Sequence, residues 1–188
     1  MSPTAFAALR HRLDTTLTAH GYPGVLDRLP VVPARGERGS LPVLAHLDDA
    51  LARAGAEADE ELADVLRPLA RAVTWQQTAA YVAAPPDASF LDLYAHATLA
   101  EAPDVAAGLV LLGPGVRYPP HHHPAEEFYL PAGEVWWVHG LGESPVPEPA
   151  GELIHHEPWQ PHGMWTGERA ALLVYVWIGA VGTPSAFC

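Results

Sequence analysis

Residues 115 to 133 read GVRYPPHHHPAEEFYLPAG. His121 and His123 are two apart, so on a β-strand both side chains project to one face, while His122 points to the other. A strand continuing past them would add Glu127 and then Tyr129 to the same row. Imidazole, carboxylate and phenol form a mixed N/O donor set that suits a borderline divalent transition metal, Fe(II), Mn, Co, Ni or Zn. Gly115 and Gly133 frame the group and Pro119-Pro120 leads into it, so the histidines are punctuated as a site rather than as a surface run. One more ligand would complete the set, and His162 in PWQPHGMWTG, residues 158 to 167, is the candidate.

The remainder of the chain narrows the classes available. Its 188 residues are enough for one domain with a proper core and some helical decoration. The net charge of -12, from 22 acidic and 10 basic residues, together with the lack of a basic cluster, argues against nucleic acid and against an anionic membrane surface as partners. A single cysteine, Cys188, excludes an internal disulfide and any multi-cysteine metal site. The N-terminus lacks the apolar segment and cleavage pattern of a secretory signal, and no apolar run approaches a membrane span in length. A cytoplasmic location is therefore expected.

In chain order, Ser2 and Pro3 resemble an N-cap with a first-turn proline, and Phe6, Leu9, Leu13 and Leu17 recur at helical spacing until Gly21. Residues 22 to 41 are rich in proline and glycine, which predicts a loop with one helical turn at Val25 to Leu29. Leu41, Leu44, Leu47 and Leu51 mark a second helix closed by Gly55. Leu62, Val65, Leu66, Leu69 and Val73 mark a third, extended by TWQQ (74–77), with Asp59 to Glu61 at its positive end. From Ala83 the pattern changes to short apolar runs between turn residues: Leu91–Leu99, Val105–Leu112, Glu126–Leu130, Val135–Val138, Gly151–Ile154 and Ala170–Ile178. Six such strands without intervening helices indicate an antiparallel sandwich or barrel. The expected architecture is mainly β: a helical layer over residues 1–82 packed on a barrel over 83–188, one structural unit overall.

In the downstream stretch Gly151 opens a strand, Pro158 and Pro161 fix a turn, and His162 stands where the chain re-enters the sheet. His155 and His156 lie in a rim-like stretch, with at most a supporting role behind a ligand. The first motif resembles the cupin pattern of Gly, five residues, His-x-His, three residues, Glu, then Gly; the second keeps Pro158 and His162 with a shortened spacing and Thr166 where many cupins have Asn. Within that superfamily, RYPPHHHPAEEFYLPAG with GELIHHEPWQPHGMWTG is similar to the cupin-type dimethylsulfoniopropionate (DMSP) lyases.

That resemblance implies an antiparallel double-stranded β-helix, one divalent transition metal, and β-elimination of DMSP to dimethyl sulfide and acrylate. It matches His123, Glu127, Tyr129 and His162 to the metal site, with His121 as a further ligand or close neighbour. Tyr129 also matches the base, and Tyr118 a second tyrosine that handles substrate or proton. A sulfonium leaving group is held well by aromatic faces, and Trp177, Tyr175 and Trp165 are the residues assigned to it here. The resemblance further implies a homodimer acting on a small-molecule substrate. Alternatives that retain the same ligands are a related lyase acting on another small carboxylate, an Fe(II) dioxygenase, a non-enzymatic sensor and a sugar isomerase.

Overall fold

A computed structural model of the chain describes residues 3–30 and 40–188. The expected Ser2 cap and the part of the proline-rich loop at 31–39 lie outside the described residues.

Helix α1, Pro3–Ala19, buries Phe6, Leu9, Leu13 and Leu17, the stripe its spacing predicts. Val25–Arg28 forms a short 3₁₀ turn. The second apolar run begins as 3₁₀ at Pro42–His46 and continues as α2, Leu47–Glu57. Gly55 does not close it. It lies in the last turn, where a Cβ would collide with Glu60 and pack on Ala63, so its role is close approach to the next helix. Helix α3, Glu60–Ala70, starts at Asp59, whose carboxylate accepts from the Leu62 N–H at 2.7 Å. The same carboxylate holds Arg12 of α1 through two hydrogen bonds of 3.1 and 2.6 Å.

TWQQ does not extend α3. The Trp75 indole donates to the Ala70 carbonyl at 2.9 Å, satisfying a carbonyl the helix end leaves open, and Gln76 exchanges backbone hydrogen bonds with His96. A short helix α4, Ala79–Ala83, follows and drives Tyr81 to full burial among the aromatics of the barrel interior. The boundary expected at residue 82 thus falls inside an element that belongs to the barrel contents.

Ten strands form two five-stranded antiparallel sheets. They are β1 Tyr94–Ala102, β2 Val105–Leu112, β3 Arg117–His122, β4 Glu126–Pro131, β5 Val135–Val138, β6 Val146–Glu148, β7 Ile154–His156, β8 His162–Trp165, β9 Ala171–Ile178 and β10 Ala186–Phe187. The orders are β1-β2-β9-β4-β7 and β10-β3-β8-β5-β6. This is the cupin fold with an N-terminal helical region. The first expected strand begins three residues late because Phe90–Asp92 is 3₁₀, and the fifth runs over Ile154–His156 instead of Gly151–Ile154.

The central strands β2 and β9 are buried on both faces, which explains their nearly unbroken apolar sequences. One face packs on the helices through Leu109, Leu111, Leu172 and Val174. The other encloses Val110, Leu173, Tyr175 and the interior aromatics. Arg53 of α2, only 7% exposed, fastens the layers: its guanidinium donates to the Glu134 carbonyl at 2.9 Å, the Ala170 carbonyl at 3.2 Å and the Glu57 carboxylate at 2.7 Å.

Candidate metal centre

The two sheets meet over four side chains. His121 lies on β3, His162 opposite it on β8 as register partner, Glu127 on β4 of the other sheet, and His123 in the connection between β3 and β4. Each is at most 2% exposed, and their ligand atoms lie within 4.8 Å of one another. His123 Nε2 is 2.7 Å and His162 Nε2 3.0 Å from Glu127 Oε2. The single continuous strand through His121, His123, Glu127 and Tyr129 does not form. Pro124 has no N–H to donate, the chain turns, and Glu127 arrives on the facing sheet. An even offset survives the turn, so the residues still converge.

The backbone fixes the imidazoles for metal binding. Nδ1 of His121 lies 3.1 Å from the Pro119 carbonyl, Nδ1 of His123 2.9 Å from that of Ala125, and Nδ1 of His162 2.9 Å from that of Gln160. A carbonyl only accepts, so each Nδ1 carries a proton and each Nε2 is directed toward the centre of the quartet, where that of His123 meets Glu127 in a hydrogen bond that a bound metal would replace. His162 Nε2 is buried with no aligned hydrogen-bond partner despite the nearby carboxylate. Three imidazole nitrogens so directed, each freed of its proton on metal binding, and a buried carboxylate fit one divalent transition metal. Burial would raise the Glu127 carboxyl, but the adjacent His123 and His162 hold it well below the usual range. Burial, with His162 adding to it, drives His121 well below the ordinary imidazole value.

A cavity of about 390 Å³ opens beside the quartet, with Tyr94, Tyr118, His121, Tyr129, Tyr175 and Trp177 in its wall. Tyr118 stacks on His121, centroids 4.3 Å apart, and donates to the Tyr81 hydroxyl at 2.8 Å; the Tyr81 hydroxyl lies 2.6 Å from Ser185 Oγ. Tyr129, on the same face of β4 as Glu127, has its ring 6.2 Å from that of His162. Its phenol is pushed well above its ordinary pKa by burial and then by the Glu127 carboxylate; burial does the same to Tyr118. The Trp177 indole donates to Glu127 Oε1 at 2.5 Å and packs 4.3 Å from the His123 ring. Tyr175 lies in the same wall, its pKa raised by burial to about 12.

Trp165 stands apart from this wall. Along β8, His162 and Met164 face inward, so Trp165 faces the opposite side, where Arg117 lies 5.0 Å from its ring and Trp136 is its register partner. His122 also points away, its Nδ1 3.0 Å from Cys188 Sγ. His156 is the residue the motif reading undervalued. It is fully buried, stacks on His162 at 4.1 Å and meets His139 at 3.2 Å, whereas His155 bonds Glu126 nearer the surface. Alternation on β7 separates the two histidines, and that strand is too short to have been recognised by its pattern. Tyr81 gave no signal, since its packing depends on α4 closing over the barrel.

A family model described as dimethylsulfoniopropionate lyase matches residues 26–174. The curated dimethylsulfoniopropionate lyase DddQ of Ruegeria pomeroyi is 34% identical over 80 residues, 42% of this chain and 39% of that protein. The aligned stretch thus spans about two fifths of that relative's length. The crystal structure of DMSP lyase DddQ from Ruegeria pomeroyi DSS-3 superposes with a TM-score of 0.77 at 21% identity, over 99% of this chain and 97% of that one. A structure reported among DMSP lyases RdDddP and RnDddQII gives 0.78 at 21% identity, over the whole of both chains. At that identity these structures establish the shared fold.

Proposed function

The chain belongs to the dimethylsulfoniopropionate lyase family, and from that premise we propose that it cleaves DMSP to dimethyl sulfide and acrylate by β-elimination. The observation that carries the reading is the buried quartet of His121, His123, Glu127 and His162, opening onto a cavity walled by tyrosine and tryptophan. A divalent transition metal held there would bind the substrate carboxylate, stabilise the enolate-like charge and lower the Tyr129 phenol toward the working range. Tyr129 itself borders the quartet and would complete the ligand set.

The chain's own groups supply the remainder. Tyr129 takes the proton from the carbon next to the carboxylate. The pair left behind forms the new C=C bond as the C–S bond breaks, and its electrons leave on sulfur as neutral dimethyl sulfide. Tyr118, held protonated by burial and packed on the His121 ring, gives its one O–H to Tyr81 and would serve the substrate carboxylate by turning that proton toward it. Trp177 and Tyr175 offer their faces to the sulfonium end, and burial of the quartet excludes bulk water from the developing charge. No helix among the described residues is long and apolar enough to cross a membrane. A cytoplasmic homodimer completes the reading, supported by the single cysteine and the usual pairing of cupin barrels. Sedimentation showing only monomer would reject that assembly.

The test is headspace dimethyl sulfide from purified protein loaded anaerobically with Fe(II), Mn, Co, Ni or Zn and given DMSP, with oxygen uptake followed in parallel. Metal-dependent dimethyl sulfide without oxygen consumption supports the lyase. Oxygen consumption in place of dimethyl sulfide would move the chain to the dioxygenase reading.

A further inference from the structure

The register of the first sheet places one row of side chains across four strands on the cavity face. Glu101 on β1 pairs with Ala106 on β2, Ala106 with Trp177 on β9, and Trp177 with Glu127 on β4. Glu101, Ala106 and Trp177 all line the cavity. The neighbouring row is Thr98, Gly108, Tyr175 and Tyr129. Gly108 is required there because a Cβ would collide with the Tyr175 ring, which lies flat over β2 toward Thr98. At Ala106 the side chain stops at one carbon, so the cavity wall between Trp177 and the exposed Glu101 carries no bulky group. Two strand spacings separate β1 from β9, about 10 Å, enough for a methylated onium group between the two side chains. No lysine or arginine is among the cavity-lining residues, and the Glu101 charge is felt at the Tyr175 hydroxyl.

We propose that Glu101, Trp177 and Tyr175, spaced by Ala106, form the subsite for the cationic end of the substrate, a sulfonium or quaternary ammonium, with Glu101 as the charge-selecting residue. The inference rests on the lyase reading for its substrate but not for its ligand chemistry. Glu101 lies on the far side of the onium group from the quartet, so a substrate bound here extends from the metal centre, carboxylate first, to the cavity mouth, cation last. Simple fatty acids lack the group this end recognises. A carboxylate at the rim also draws cations in and repels anions, an effect that salt screens.

The test uses trimethylsulfonium and tetramethylammonium, which carry no carboxylate, with propionate as the anionic control. Binding to the metal-loaded protein is followed by calorimetry and by the Trp177 indole N–H signal in NMR. Glu101→Gln is expected to weaken both cations about three- to tenfold, and to leave propionate unchanged or slightly tighter. Ala106→Leu, which fills the gap, is expected to abolish cation binding while circular dichroism and metal content stay as in the wild type. With DMSP, Glu101→Gln raises KM and spares kcat. Cation affinity indifferent to Glu101→Gln overturns the subsite even if dimethyl sulfide is released. Glu101-dependent cation binding without dimethyl sulfide release supports the subsite and rejects DMSP as its occupant.

Discussion

His121 and His162 are register partners on β3 and β8, with ring centroids 4.3 Å apart and each Nδ1 tied to a carbonyl two residues earlier in its own chain segment. Pairing across two adjacent strands fixes both rings before any metal arrives, so little ordering is required on binding. Removing His162 leaves the quartet one donor short. His162→Ala is expected to lower metal affinity at least about 100-fold, read as metal content after dialysis. Full stoichiometry in that variant would show that His162 is not a ligand.

The indole of Trp177 donates to the oxygen of Glu127 that does not face His123. Trp177→Phe keeps an aromatic face over His123 but deletes the donor, so the carboxylate loses its outer anchor. Metal affinity should fall about 10- to 100-fold in a competitive chelator titration. An unchanged affinity would leave Trp177 with a role in the cavity wall only.

Arg53 joins α2 to the β4–β5 connection and to the start of β9 through hydrogen bonds, the one to the Ala170 carbonyl fully buried. Arg53→Ala removes this donor from the Glu134 carbonyl and the buried Ala170 carbonyl, while Glu57 keeps the Glu134 N–H and Arg169. The expected loss is about 3 kcal/mol in urea unfolding. A loss below about 1 kcal/mol would mean that the helical layer is held by its apolar contacts alone.

Acid should destabilise the protein in two steps. Burial lowers His96 from 6.5 to about 4, so the unfolded chain takes up a proton that the folded one refuses, and stability falls as pH drops from about 6.5 to 4. Arg12 holds Asp59 below its ordinary 3.8, and Arg169 does the same for Asp49. Their contributions are complete above that value and are lost as pH falls through the lower folded pKa. His96→Phe is expected to flatten the upper step by on the order of 2 kcal/mol, measured as the difference in melting temperature against pH. An identical slope in the variant would contradict the assignment.

Much of the molecule was legible where one periodicity dominated. Phe6, Leu9, Leu13 and Leu17 define α1, and Val105–Leu112 and Val135–Val138 coincide with β2 and β5. The quartet was legible because prolines and glycines isolate its histidines. The path between them was not, since the step from His123 to Glu127 is even along one strand and equally compatible with a turn at Pro124. Trp165 is three residues from His162 in sequence yet lies away from the cavity, because an odd offset on a strand reverses the face. Glu101 and Trp177 are separated by 76 positions, and only the β1-β2-β9 register aligns them.

The most direct test of the account is dimethyl sulfide release and metal content measured together on Tyr129→Phe. The variant keeps the quartet and the ring that packs 5.0 Å from Trp137, and loses only the hydroxyl. The account predicts wild-type-like fold, metal retained by His121, His123, Glu127 and His162, and dimethyl sulfide release reduced about 10²- to 10⁴-fold, the range for loss of a general base. Turnover near the wild-type rate with metal in place would contradict it and assign the proton to another group.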